Sequence, residues 1–213
     1  FKRLVNYMRF TEEYFSDLPE KWTTFDRYFN NETIEINGLG AISISSLNSA
    51  WSSAIHFDFK KRKALDKEKI MIGEHQVTES LNYIEGKKSR MNLLIVHHPD
   101  GWLSGFDRKR CWHRLTREYH IILHGHEHTP KAQSSAYGKA ITLGVGAATQ
   151  QEETEGEDKY YNSHNRYYVS EVDWGSGKAT QFLRKFSADA GRWISDIETS
   201  PDDGAEVPFI VQL

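Results

Sequence analysis

Residues 119–128 of the chain read Tyr119-His120-Ile121-Ile122-Leu123-His124-Gly125-His126-Glu127-His128. This short apolar run ends in a glycine and a cluster of imidazoles, which is typical of a buried strand that leaves its sheet at a site. Residues i and i+2 of an extended backbone point to the same side, so His126 and His128 can reach one small volume. Gly125 permits a sharp turn or a positive φ at that point. The stretch therefore predicts a strand whose C-terminal end carries candidate metal ligands.

A second apolar run, Leu93-Leu94-Ile95-Val96, is followed by His97-His98-Pro99. Its lack of alternation is expected of a central strand covered on both faces. Apolar residues recur at helical spacing after Asp107, between the two runs. Strand, helix and strand is the α/β pattern in which sites collect at the C-terminal ends of strands. His97 can therefore join His126 and His128. Three neutral imidazoles suit Zn, Mn or Fe; the alternative is three unrelated surface or core histidines.

The remaining pattern predicts further elements around these two runs. Apolar spacing indicates helices over 1–8 and 77–84, the second ended by Gly86, and alternation or apolar runs indicate strands over 33–36, 41–45, 140–143, 166–172 and 179–183. Asn37-Gly38 and Gly175-Ser176-Gly177 are typical of hairpin turns. After Trp193 the chain is rich in Asp, Glu, Pro and Gly. We therefore expect one domain over 1–188 and a loosely held tail over 189–213.

Composition limits the classes of protein that fit. The 213 residues have a mean hydropathy of -0.66, and no apolar run approaches the ~18 residues that cross a bilayer. A single cysteine, Cys111, fits a reducing compartment, and the expected location is the cytoplasm. The net charge of -3 gives no global basic field for nucleic acid. The one strong basic run, Lys60-Lys61-Arg62-Lys63, is either a solvated loop or a local contact to a phosphate backbone.

The two histidine-ended strands closely resemble the last two motifs of the calcineurin-like metallophosphoesterases. In that family one strand ends in His-His-Pro and another in Gly-His-x-His, and the matching residues here are 94–99 and 123–128. Residues 47–51 and 72–76 are also similar to connecting segments of bacterial members. The resemblance covers residues 1 to about 190. It implies an α/β fold with two facing mixed β-sheets flanked by helices, in four α-β-β-α layers.

What the resemblance implies for chemistry is a hydrolase that uses two divalent metal ions to activate water and stabilise charge on a phosphoester. Manganese is the first expectation for the ions, with iron, zinc or nickel as alternatives. By this resemblance His97 and His126 bind one ion and His128 binds the other. His98 is the candidate catalytic residue on the substrate side, where Asn48 and Trp102 are candidate lining residues.

The other histidines receive different interpretations. His124 alternates with His126 along the strand and is a candidate to orient the metal ligands by a hydrogen bond without binding the metal itself. Four further histidines are read as surface or hydrogen-bonded core groups, and Cys111 as a packing residue in a helix. This group of histidines comprises His75, His113, His120 and His164.

The chain departs from the family pattern in one respect. The earlier motifs, Asp-x-His, Gly-Asp-x-x-Asp and Gly-Asn-His-Asp/Glu, are absent, and the sequence begins at Phe1. We therefore expect an N-terminal part of the domain, with any fused or associated module, to precede Phe1, and these residues alone to be an incompetent catalyst. The whole protein is predicted to be a phosphodiesterase acting on nucleic acid or a cyclic nucleotide. The alternatives are a phosphomonoesterase or nucleotide pyrophosphatase, and a non-catalytic binding module that keeps the fold.

Overall fold

The computed structural model describes residues 5–14, 28–53, 57–58, 63–126, 131–134, 138–144, 165–197 and 206–213. The helices of this part are α1 (Val5–Tyr14), α2 (Glu74–Lys87), α3 (Gly105–Asp107) and α4 (His113–Glu118), and a π turn, Arg108–Trp112, joins the last two into one helical segment. The strands are β1 (Phe29–Ile36), β2 (Gly40–Leu47), β3 (Phe57–Asp58), β4 (Lys63–Ala64), β5 (Met91–Val96), β6 (Ile121–His124), β7 (Lys131–Ser134), β8 (Ile141–Gly144), β9 (Arg166–Val172), β10 (Lys178–Ser187), β11 (Arg192–Ser195) and β12 (Glu206–Ile210).

The larger sheet is mixed, with strand order β1-β2-β5-β6-β8-β7. Its four inner strands, β2, β5, β6 and β8, run parallel, while β1 and β7 pair antiparallel at the two edges. In this register Leu47 lies beside Val96, and Val96 lies beside His124. The C-terminal ends of β2, β5 and β6 are therefore adjacent, which is the edge where the sequence predicts a site.

Apolar residues cover both faces of the larger sheet. On one face Leu94, Val96 and Ile122 pack against the helices through Val77 of α2 and Leu115 of α4, all buried. On the other face a second cluster joins this sheet to the smaller one: Met91, Ile121, Ile141, Leu143, Ala179 and Val211. The continuous apolar run in β5 reflects this double cover, because successive strand residues point to opposite faces.

The smaller sheet is antiparallel in all the pairings that the described residues make. Strand β10 pairs with β9 along one edge and, along the other, with β12 and then β11. Two facing sheets with helices outside the larger one confirm the predicted α/β class. Strands β11 and β12 lie beyond residue 188, and Val211 is only 2% exposed. Burial of that apolar residue and ladder pairing tie the C-terminal residues to the sheet, so the described part of 189–213 is not a loosely held tail.

The end of one helix differs from the sequence prediction. Helix α2 continues through Gly86, and the left-handed residue that ends it is Lys88, with φ 51° and its N–H bonded to the carbonyl of Ile84.

Other predictions fall outside the described residues, namely those on 60–62, on His128 and on His164. In the described part of the chain, no helix is long and apolar enough to cross a membrane.

Candidate metal centre

The C-terminal ends of three parallel neighbours supply the side chains of the site. Strand β2 is followed by Asn48 and Ser49, β5 by His97 and His98, and β6 by Gly125 and His126. Because the strands are in register, these pairs lie side by side at one edge of the sheet. This is the placement expected from the α/β pattern.

His97 and His126 approach each other with ring nitrogens in contact. Nε2 of His97 lies 3.1 Å from Nδ1 of His126, and the ring planes are 84° apart. Two imidazoles bound to one tetrahedral zinc, at about 2.0–2.1 Å each, hold their nitrogens about 3.3–3.4 Å apart. One nitrogen of each of His97, His98 and His126 lies within 4.8 Å of the others. The spacing therefore fits a divalent ion bound between His97 and His126.

The backbone around Gly125 explains how the two rings meet. A Cβ at Gly125 would lie 3.3 Å from Nδ1 of His97, so glycine lets that ring rest against the end of β6. The sequence allowed a sharp turn or a positive φ at Gly125, and the residue in the left-handed region is the next one, His126, with φ 65°. A left-handed non-glycine residue is uncommon and is often found at functional sites. The turn at His126 brings its ring back toward His97.

His98 lies deeper than its two neighbours and is held by Ser49. Its side chain is 3% exposed, its backbone N–H donates to Oγ of Ser49 at 3.1 Å, and its ring Nδ1 is 2.9 Å from the same oxygen. Burial, with His126 and His97 beside it, lowers the pKa of His98 to about 3. The ring is therefore neutral at physiological pH.

Trp102 borders this group of rings. Its ring centroid lies 4.0 Å from that of His126, edge to face, and 6.0 Å from that of His98. The short 3-10 turn Asp100–Trp102 that follows Pro99 brings it there. Trp102 therefore lies next to the histidine cluster, and its role as a residue that lines the substrate site stays a prediction.

Asn48 has a different environment from the one expected of a substrate residue. Its Oδ1 accepts the N–H of Trp51 at 3.0 Å, and its backbone N–H and carbonyl are bonded to the side chain of Gln76. These bonds shape the turn after β2. The side-chain oxygen of Asn48 is thus engaged by the chain itself.

The remaining histidines of the described chain lie outside the cluster. His124 is buried, and its Nδ1 bonds to the carbonyl of Gly125 at 3.1 Å. His120 is 5% exposed and lies at the opposite end of β6, between the N–H of Asn92 and the ammonium group of Lys139. His75 is exposed and packs edge to face on Phe29, 5.9 Å between ring centroids.

Cys111 is a packing residue, as the sequence indicated. Its side chain is fully buried in the helix-side core. Burial and the carboxylate of Asp107 raise the pKa of the thiol to about 12. Since the thiolate is the reactive form, Cys111 is an inert core group.

Ser49 is the site residue that the sequence did not reveal. Serines are frequent in this part of the chain, and no spacing motif connects residue 49 with residue 98. Only the parallel pairing of β2 with β5 brings them together. Within the described residues, the cluster that could hold a metal contains histidines alone, without a carboxylate. The sequence candidate His128 lies outside those residues.

Comparisons with known proteins do not identify a family for this chain. No protein-family model and no curated protein matches the chain. Solved structures similar to it include GAP50, the anchor in the inner membrane complex of Plasmodium, with 12% identity, 87% of this chain covered and a TM-score of 0.46. Vps29 of Chaetomium thermophilum has 7% identity, 92% coverage and a TM-score of 0.36. A putative 5'-nucleotidase of Staphylococcus aureus has 9% identity, 80% coverage and a TM-score of 0.34.

The chain spans 55%, 67% and 28% of the lengths of these three proteins. All three TM-scores are below 0.5, so the likenesses carry no argument about activity, partner or substrate. The cluster of histidines and the sequence motifs that place it are therefore the observations that bear on the function of this chain.

Proposed function

We propose that His97 and His126 bind a divalent metal ion and that the protein is a metal-dependent phosphoester hydrolase. The observation that carries this proposal is the 3.1 Å contact between Nε2 of His97 and Nδ1 of His126 at the ends of two adjacent parallel strands. The order of the two motifs, a strand before His-His-Pro and a strand before Gly-His-x-His, supports the phosphoesterase class. A bound divalent ion would supply Lewis-acid activation of water and of a phosphoryl oxygen.

Four residues around the proposed ion would have separate roles in positioning the ligands and contacting the substrate. Gly125 provides the close approach on which the ring of His97 rests, and the left-handed turn at His126 directs the second ring toward the first. His98, neutral and buried beside both, would contact the phosphoryl group from the substrate side. Trp102 packs edge to face on His126 and would border the group on one side.

Metal analysis of the purified protein tests the site. After incubation with Mn²⁺ or Zn²⁺ and removal of excess ion, the wild type should retain metal, and the His97→Ala, His126→Ala double variant should lose it. His75→Ala is the matched control, because it removes an exposed imidazole outside the cluster. Circular dichroism of each variant checks that the fold persists. Equal metal content in the folded double variant and the wild type would show that the ion binds elsewhere.

Assays of the whole protein on model phosphoesters test the reaction class, because residues 1–213 alone lack the earlier metal motifs and are not expected to be competent. The finer proposal is a phosphodiesterase for nucleic acid or a cyclic nucleotide, so bis(p-nitrophenyl) phosphate should be hydrolysed faster than p-nitrophenyl phosphate. The reverse order would favour a phosphomonoesterase.

A non-catalytic binding module is the second candidate function. The absence of a carboxylate from the described histidine cluster favours it, because a bridged pair of ions commonly needs anionic ligands. Retained metal without hydrolysis of either ester would support this second function and contradict the first.

A further inference from the structure

Ser49 and His98 form a buried pair at the inner side of the cluster. Ser49 is fully buried, and its Oγ meets both the backbone N–H and the ring Nδ1 of His98. The two residues come from the ends of β2 and β5, in neighbouring positions of the parallel register. One hydroxyl group therefore holds the main chain and the side chain of His98 together.

The hydrogen atoms of this pair can be assigned by counting donors and acceptors. A serine hydroxyl has one hydrogen and two lone pairs. The backbone N–H of His98 can only donate, so it occupies one lone pair of Ser49 Oγ. Either the hydroxyl then donates to Nδ1, or Nδ1–H donates to the second lone pair.

The surroundings of Ser49 distinguish these two arrangements. Within the described chain, the hydroxyl of Ser49 has no acceptor other than Nδ1 of His98. If Nδ1 carried the hydrogen, the buried hydroxyl hydrogen would have no partner there, which is costly. The hydroxyl therefore donates, and Nδ1 accepts.

We infer that Ser49 is a positioning residue that holds His98 as the Nε2–H tautomer, so that His98 donates a hydrogen bond instead of binding the metal. Three adjacent imidazoles then have two roles. His97 and His126 offer lone pairs to an ion, and His98 offers an N–H to a phosphoryl oxygen. The assignment of the tautomer stands without the proposed function, and only the recipient of the hydrogen bond rests on it.

Nitrogen NMR of the metal-free protein tests the tautomer directly. In protein labelled with ¹⁵N-histidine, the resonances of His98 are those missing from the His98→Asn variant. We expect a pyridine-like Nδ1 and a pyrrole-like Nε2. In Ser49→Ala the pattern should shift toward the other tautomer, while Ser52→Ala should leave it unchanged. Ser52 is the matched control because it is a buried serine of the same turn, bonded to backbone groups and not to His98.

A pyrrole-like Nδ1 for His98 in the wild type would overturn the inference. Metal content provides a second readout, since Ser49→Ala should keep the metal stoichiometry of the wild type. A loss equal to that of His97→Ala would show that His98 is a ligand and would also overturn it.

In the hydrolysis assay, Ser49→Ala should lower kcat about 10- to 100-fold with little change in KM, and Ser49→Thr should recover part of it because the hydroxyl is kept. If the whole wild-type protein has the expected tautomer but hydrolyses no ester, the inference on Ser49 holds and the proposed hydrolase function fails.

Discussion

Lowering the pH from 7 to 4 should destabilise the fold through His120, which lies at the opposite end of β6 from the metal centre. The ring is 5% exposed, and its Nδ1 accepts the N–H of Asn92 at 2.8 Å. Burial, with the ammonium group of Lys139 at 3.1 Å, lowers the pKa of His120 from 6.5 to about 4. The folded protein therefore keeps this ring neutral at pH values where the unfolded chain has already bound a proton.

The sign and size of the effect follow from proton linkage. Between pH 6.5 and 4 the unfolded chain binds more protons at this site, so the free energy of unfolding falls as the pH falls. A pKa difference of about 2.5 units at 1.36 kcal/mol each gives a loss of about 3 kcal/mol by pH 4. That is a large share of the 5–15 kcal/mol that stabilises a typical domain, by order of magnitude.

Urea unfolding followed by tryptophan fluorescence at pH 7, 6, 5 and 4 measures this dependence. The variant His120→Asn keeps a short acceptor for the N–H of Asn92 and removes the titration, so its stability should fall less with pH than that of the wild type, by about 3 kcal/mol in total. His75→Asn is the control, with the same substitution at an exposed position. Parallel curves for the wild type and His120→Asn would refute the reasoning.

Two further substitutions test other parts of the structure. Gly125→Ala should weaken metal binding about tenfold, because the new Cβ would lie 3.3 Å from Nδ1 of His97 and displace the ring. Titration with a chelating dye measures the metal affinity. An unchanged affinity would contradict the proposed contact between Gly125 and the ring of His97. Asp196→Asn should lower the free energy of unfolding by about 3 kcal/mol, because the buried Arg166, 2.7 Å away, would then face a neutral side chain. Urea unfolding measures the loss. A loss below about 1 kcal/mol, the range of exposed ion pairs, would show that this pair contributes no more than an exposed one.

Local pattern was sufficient to predict seven of the strands, including β5 and β6 with their histidine-bearing ends. The apolar run of β5 and the abrupt change at His97 both reflect short-range physics, because a strand covered on both faces must be apolar and must stop where polar groups begin. The end of α2 was less predictable. Gly86 has the usual chemistry of a helix end, but Lys88 takes the left-handed conformation instead.

Long-range pairing explains what the sequence could not show. The polar residues beyond 188 resemble a tail, yet residues 206–210 form the strand β12. They do so because they pair with the edge of β10 and because Val211, which follows them, packs in the core. Likewise, Ser49 has no motif of its own. Its contact with His98 exists because β2 and β5 are neighbours, although α2 and more than 40 residues separate them in sequence.

The same pairing gives the candidate metal centre its asymmetry. His97 and His98 are consecutive and chemically identical, so their side chains alone do not distinguish their roles, and only the family resemblance assigned His97 to the metal and His98 to the substrate side. In the sheet, residue 97 faces the end of β6, where Gly125 leaves room for its ring, and residue 98 faces the end of β2, where a hydroxyl group is buried. Each imidazole is thus held by a different neighbouring strand, and the hydrogen bond from β2 leaves His98 as a donor. Strand order, which no local motif encodes, therefore separates the group that would donate to substrate from the groups that would hold the ion.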